Sequence, residues 1–258
     1  HADHQQTMSP LFLKSCCRLV VLATALFLVG CASGPNAVAR DPLEPLNRSI
    51  YGFNDALDGA VIRPVARAYQ EVTPSPIRTG IGNFFANLAD VWSTVNNALQ
   101  LKPAQTVETG ARVVVNTVVG VLGLFDVATS MNLERHPEDF GQTLGYWGVP
   151  SGPYVVLPVL GPSTLRDGAS LPVDTKGNLV RHIEEVPTRN TLTVVNLVDK
   201  RARLLKATDQ VDAMAIDKYT FVRDVYLQKR LSDVWDGNPP DTGEGKDPAP
   251  EPEGKSTP

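Results

Sequence analysis

Cysteine is almost missing from the working part of this chain. Of 258 residues only Cys16, Cys17 and Cys31 are cysteines, so a chain cut before Cys31 keeps no intramolecular disulfide and no Cys-rich metal site. Histidine is nearly as scarce, at His1, His4, His136 and His182. His136 has Glu138 and Asp139 beside it but no second histidine at ligand spacing, so a loop with solvated or capping charges is expected rather than a metal centre. Gly161-Pro162-Ser163 is no nucleophile elbow, because that motif needs glycine at residue 165 and Leu165 stands there. No P-loop and no dinucleotide fingerprint is present. The expectation is therefore no enzyme: no catalytic residue, no metal and no cofactor. Also missing is an apolar run of the ~20 residues that a membrane-spanning helix needs. Charge is modest, at 20% of residues with a formal net of −4, which argues against a nucleic-acid partner. The acidic excess is local. Asp236, Asp241, Glu244, Asp247, Glu251 and Glu253 stand against only Lys246 and Lys255, and this Pro/Gly-rich tail, 237–258, is disordered by composition.

What is there begins with Leu28-Val29-Gly30-Cys31. Lys14 and Arg18 form a positive region, residues 19–29 an apolar stretch too short to span a bilayer, and Gly30 the small residue before a cut. Residues 1–30 thus read as a signal peptide, with a doubtful extension before Met8. The four residues at its end read as a lipobox, in which Cys31 carries a diacylglycerol thioether and an N-acyl chain such as palmitate. Burying each acyl CH₂ contributes about 0.8 kcal/mol, and more than one chain makes the anchor stable. Ala32 follows, without the Asp that retains such proteins in the inner membrane. Residues 31–40 are then a small, polar, lipid-anchored linker.

A helical domain is expected over 41–236. Asp41, Pro42 and Glu44 resemble a capping box, and Leu43, Leu46, Ile50, Phe53, Leu57 and Val61 form an apolar stripe at spacings of three and four. Gly59 and Arg63-Pro64 punctuate, and a second short helix is expected over 64–72. The next helix carries Ile77, Ile81, Phe84, Leu88, Trp92, Val95 and Leu99 on one face, and Asn83, Asn87, Asn96 and Asn97 on the other. That amide face is either solvated or lines a water-filled cavity beside lipid. Residues 113–125 are thirteen apolar or small residues between Arg112 and Asp126, read equally as a buried core element or as an apolar hairpin at a membrane. Gly120 and Gly123 would permit its bend. Residues 131–174 are too rich in Gly and Pro for a long helix and are expected to be irregular but packed. Arg166-Asp167 reads as a local, turn-stabilising ion pair. Two further helices are expected over 190–205, with Lys200, Arg201 and Arg203 complementing its C-terminal dipole, and over 209–235.

The ordered motifs Asp41-Pro-Leu-Glu-Pro-Leu-Asn-Arg48, Tyr51-Gly-Phe-Asn54, Arg63-Pro-Val65, Gly82-Asn-Phe84, Phe125-Asp-Val-Ala128, Phe140-Gly-Gln-Thr-Leu-Gly145, Gly152-Pro-Tyr154 and Leu165-Arg-Asp167 resemble the MlaA/VacJ family of outer-membrane lipoproteins. The resemblance implies an all-α, ring-like arrangement of amphipathic helices lying in the outer membrane, with an irregular Gly/Pro-rich segment. It implies a lipid-anchored protein facing the periplasm and bound to a trimeric porin. Such a protein extracts mislocalised phospholipid from the outer leaflet through an amphipathic channel and passes it to a soluble periplasmic phospholipid-binding carrier. Asn116, Gly120, Gly123, Phe125 and Asp126 match the family's gating hairpin, and Tyr51, Phe53 and Asn54 match a segment implicated in the open state. A structural porin-associated lipoprotein and a lipid hydrolase are the alternatives.

Overall fold

The structure is a computed structural model that describes residues 41–240. The expected signal peptide, Cys31, the linker and all but the first residues of the acidic tail lie outside the described residues.

Proline sets the entry of most long helices. It occupies the first or second position of α1 (Glu44–Leu57), α2 (Arg63–Val72), α3 (Ser75–Leu99), α4 (Pro103–Val118) and α8 (Val186–Met214), where its missing N–H removes no intrahelical bond and its φ already suits the helix. Side-chain caps start the others. Asp126 accepts from the Thr129 amide at α5 (Val127–Ser130), Asp139 from Gln142 at α6 (Phe140–Tyr146), and Thr164 from Asp167 at α7 (Leu165–Gly177). Asp217 accepts from Thr220 at α9 (Lys218–Val234).

The buried face is polar. Among the described residues, twenty-two buried side chains are polar or charged and ten are apolar, the reverse of the usual interior. In α3 the amides Asn87, Asn96 and Asn97 are buried, while Ile77, Val95 and Leu99 stand exposed. The amide face is therefore not solvated, because it ties the helix to its neighbours. Asn87 donates to Thr117 of α4 at 2.9 Å, Asn96 accepts from Thr143 at 2.9 Å, and Asn97 donates to the His136 carbonyl at 3.1 Å. In α1, likewise, Asn47 is buried while Leu46 and Phe53 are exposed. Two small apolar clusters remain. Ala66, Ala202 and Leu205 join α2 to α8, with Tyr69 against them. Tyr154, Val156 and Tyr219 join the β-hairpin to α9, with Ile50 and Tyr51 against them. No helix among the described residues is long and apolar enough to cross a membrane.

Several expectations are corrected. Asp41 does not cap α1, whose N-cap is Leu43 without a side-chain bond. Its fully buried carboxylate instead accepts from Asn47 at 2.8 Å and from the Tyr219 hydroxyl, with Arg223 at 3.4 Å. Gly59 and Arg63-Pro64 do not break the chain. A π-helical turn, Asp58–Ile62, carries α1 into α2, its Arg63 amide reaching back to the Asp58 carbonyl. The wider turn absorbs Pro64, which has no amide hydrogen to give. Residues 165–177 form a regular helix despite Pro172. Ahead of it, β1 (Tyr154–Leu157) and β2 (Gly161–Thr164) pair antiparallel, with Tyr154 opposite Thr164. α8 runs to Met214 rather than stopping at 205, because no Gly or Pro interrupts 206–214. Arg63 holds Asp212 at 2.8 Å, and Arg67 holds Asp209 at 3.3 Å, across to α2. Lys200, Arg201 and Arg203 are therefore mid-helix, and the dipole rationale for them fails.

Candidate functional site

The packing of α3 against α8 and the 135–142 segment leaves a cavity of about 430 Å³, within the usual range for small-molecule pockets. One wall is apolar, made by Phe85, Leu88 and Trp92 of α3 with Val180. The other is charged, with Lys200 and Arg203 of α8 and Arg135 on the loop.

Glycine makes room for two of these groups. A Cβ on Gly82 would lie 0.9 Å from Nη2 of Arg203, so the guanidinium occupies the space a side chain would take. A Cβ on Gly177 would lie 2.1 Å from the Trp92 ring, whose Nε1 donates to Asp174 at 2.8 Å.

The acids of the wall are already engaged. Asp174 also accepts from the Phe140 amide at 2.8 Å and from Ser170 at 3.1 Å. Asp139 receives both Arg230 nitrogens at 2.6 Å. Burial opposes its charge, but Arg230 and the Gln142 amide hold its carboxyl below the usual range. Asp199 accepts from Arg203 at 2.9 Å and Tyr69 at 3.1 Å. Of the expected solvated or capping charges, Asp139 is a cap, of α6, whereas Glu138 is not solvated. It is buried against Gln100 at 2.8 Å and Lys102 at 3.1 Å, and burial pushes its carboxyl up to about 7 in spite of both donors. His136 lies 3.0 Å from Glu108.

The residues singled out in the sequence lie elsewhere, in two groups. Residues 119–125 form an exposed apolar hairpin beyond α4, with Val119, Val121, Leu122, Leu124 and Phe125 all facing outward. Val121, Leu122 and Gly123 have φ of 53°, 58° and 89°. Left-handed backbone is easy for glycine and strained for a β-branched valine. The tip bends back on its stem, the Gly123 amide donating to the Asn116 carbonyl at 2.8 Å. Both glycines are required: a Cβ on Gly120 would lie 2.1 Å from the Phe125 carbonyl, and one on Gly123 2.6 Å from Asn87.

The stem is polar, with Arg112 and Asn116 buried and Asp126 partly exposed. Arg112 donates to both Asp126 oxygens at 3.0 and 3.1 Å. Asn116 donates to Asp126 at 3.0 Å and accepts from the Ala128 amide at 2.9 Å. Burial works against the Asp126 charge, but Thr129, Asn116 and Arg112 hold the carboxyl down to about 2.

Tyr51, Phe53 and Asn54 form the second group, on α1. Asn54 clamps the β-turn, donating to the Leu157 carbonyl at 2.9 Å and accepting from the Val159 amide at 2.7 Å. Tyr51 stacks edge-on with Tyr219, ring centroids 5.7 Å apart, while Phe53 points outward. None of these eight residues lines the cavity. The hairpin touches α3 from outside, where Asn83 donates to the Leu124 carbonyl at 3.3 Å. Arg166-Asp167 is a pair at 3.1 Å, yet it is more than local, because Arg230 and Tyr226 of α9 both bond Asp167.

A family model described as MlaA lipoprotein matches residues 39–233. The intermembrane phospholipid transport system lipoprotein MlaA of Escherichia coli (strain K12) is 39% identical over 216 residues, covering 81% of this chain and 85% of the relative. The protein of that name from Haemophilus influenzae is 30% identical, covering 85% and 90%. A solved structure, described as the structural basis for maintenance of bacterial outer membrane lipid asymmetry, superposes with a TM-score of 0.66 at 37% identity, over 77% of this chain and 99% of its own.

Proposed function

We propose that this chain, which belongs to the MlaA lipoprotein family, extracts mislocalised phospholipid from the outer leaflet of the outer membrane and hands it toward the periplasm. The observation that carries this is the inversion of its surface. Apolar side chains of α1, α3, α4 and the 119–125 hairpin face outward, while the interior is polar and borders a cavity with one apolar wall and one wall of mixed charge, its acids engaged by neighbouring donors. A protein surrounded by water would bury the first and solvate the second. A protein set among acyl chains does the opposite, and its interior then admits an amphipathic molecule. No helix among the described residues is long and apolar enough to cross a bilayer, and Cys31, lipidated, holds the domain to the membrane from the periplasmic side. A trimeric porin would hold the ring at outer-leaflet depth, and a soluble periplasmic carrier would receive the lipid. Asn116, Gly120, Gly123, Phe125 and Asp126 form the gate, and Tyr51, Phe53 and Asn54, on α1, bear on its open state. The family is one of transport lipoproteins, in line with a non-enzymatic protein. Deleting the gene should raise outer-leaflet phospholipid, and expressing this chain should restore asymmetry. An unchanged outer leaflet in the deletion strain would leave only a structural, porin-associated part for the protein.

A further inference from the structure

We propose that Asn196, Lys200 and Arg203 form a headgroup site in the cavity that binds the phosphate of a phospholipid. The proposal rests on the transport reading and adds which atoms hold the cargo. The three residues stand at i, i+4 and i+7 of α8, a spacing that puts them on one face of a helix, and all three line the cavity. Each has unused capacity. Lys200 has no ion-pair or hydrogen-bond partner among the described residues, whereas Asp139, Asp174, Asp199 and Glu138 in the same wall are all taken up by neighbouring donors. Arg203 spends both Nε and Nη2 on Asp199 at 2.9 Å, with Nη2 also 3.5 Å from the Arg78 carbonyl, which leaves its Nη1 without a partner among the described residues. Asn196 carries a side-chain oxygen that is buried and has no partner, and a buried acceptor left alone is costly.

The ligand chemistry follows from these vacancies. An ammonium and the unengaged Nη1 of a guanidinium suit the oxygens of a phosphodiester. The orphan amide oxygen needs a donor, such as a headgroup ammonium or hydroxyl. Phe85, Leu88 and Trp92 opposite supply an apolar wall for the first part of an acyl chain. The space that Gly82 leaves for the Arg203 guanidinium makes that position part of the site: a larger residue at 82 would displace the group that grips the phosphate.

The test uses the full lipidated protein in vesicles, with two probes bearing the same photoactivatable acyl chain, phosphatidylethanolamine and diacylglycerol. The native protein should label on α3 residues of the cavity about tenfold or more with the phospholipid over diacylglycerol, the preference expected from losing a charge-assisted bond. Lys200→Gln with Arg203→Gln should lower phospholipid labelling to the diacylglycerol level, and Lys200→Arg should restore most of it. Unchanged diacylglycerol labelling in the double variant shows that the cavity is still folded. Millimolar inorganic phosphate should not compete; if it does so fully, the site takes free phosphate and the proposal is overturned. Equal labelling by the two probes also overturns it, and leaves the transport reading intact. Labelling by neither probe overturns both.

Discussion

Asp126 joins three structures at one carboxylate. It caps α5 through the Thr129 amide, pairs with the buried Arg112, and accepts from Asn116 in the last turns of α4. These bonds lower its proton affinity in the folded state, with its carboxyl at about 2 against an ordinary 3.8. A lowered carboxylate contributes stability that is complete above its unfolded value and is lost as pH falls through its folded value. The size is about 1–2 kcal/mol once solvent screening of this partly exposed group is allowed for. Asp126→Asn should therefore lower stability by about that much at neutral pH. The gap between variant and native protein should close as pH falls from about 4 to about 2, read by denaturant melts across that range. A gap independent of pH would mean that the carboxylate's charge contributes nothing to the stem.

At the scale of elements, the hairpin has the features of a moving part. Its stem is anchored by charge-assisted bonds, while its tip is strained at Val121 and Leu122 and exposes apolar side chains. Left-handed backbone at such residues costs on the order of 1–3 kcal/mol each, so a second arrangement of the tip lies within reach. The tip rests on the start of α3: a Cβ on Gly80 would lie 3.5 Å from the Leu124 carbonyl and 3.8 Å from its side chain. Gly80→Cys with Leu124→Cys should form a disulfide, since no other cysteine follows Cys31. The oxidised protein should stop extracting phospholipid, and reduction should release it. Normal flux through the oxidised form would count against a moving hairpin.

The same scale separates what the sequence reveals from what it hides. Proline entries and 3–4 spacings are local, so α1, α3 and α4 are legible. Which face they bury is not, because an apolar stripe points to a core only when the solvent is water; around Asn47 and Asn97 the rule inverts. The short β-hairpin was hidden by Pro162 and by four-residue strands, and the length of α8 by tethers to α2 that no local pattern encodes. The hairpin's bend was visible in Gly120 and Gly123. The cavity's cations were not, because Lys200 and Arg203 read as complements of a helix end, and only the run of α8 to Met214 places them mid-helix beside the cavity.

The whole molecule has two independent means of meeting a bilayer. One is the outward apolar surface of its helices, which buries area without crossing the membrane. The other is the lipid proposed for Cys31, whose acyl chains would act additively at about 0.8 kcal/mol per CH₂. Ten linker residues would reach at most about 3.3–3.6 Å each, so such an anchor would keep the cavity within a few nanometres of the leaflet. The two means have different tasks. Apolar surface alone does not distinguish one membrane from another, whereas a lipidated cysteine followed by Ala32 is a sorting signal for the outer membrane. Cys31→Ser should therefore abolish acylation, read by labelled palmitate, and remove the protein from the outer-membrane fraction. It should fail to restore lipid asymmetry even though the helical domain, 41–236, keeps its fold. A variant that still takes up palmitate would place the lipid on another residue, and one that still sorts without lipid would assign the address to the apolar surface instead.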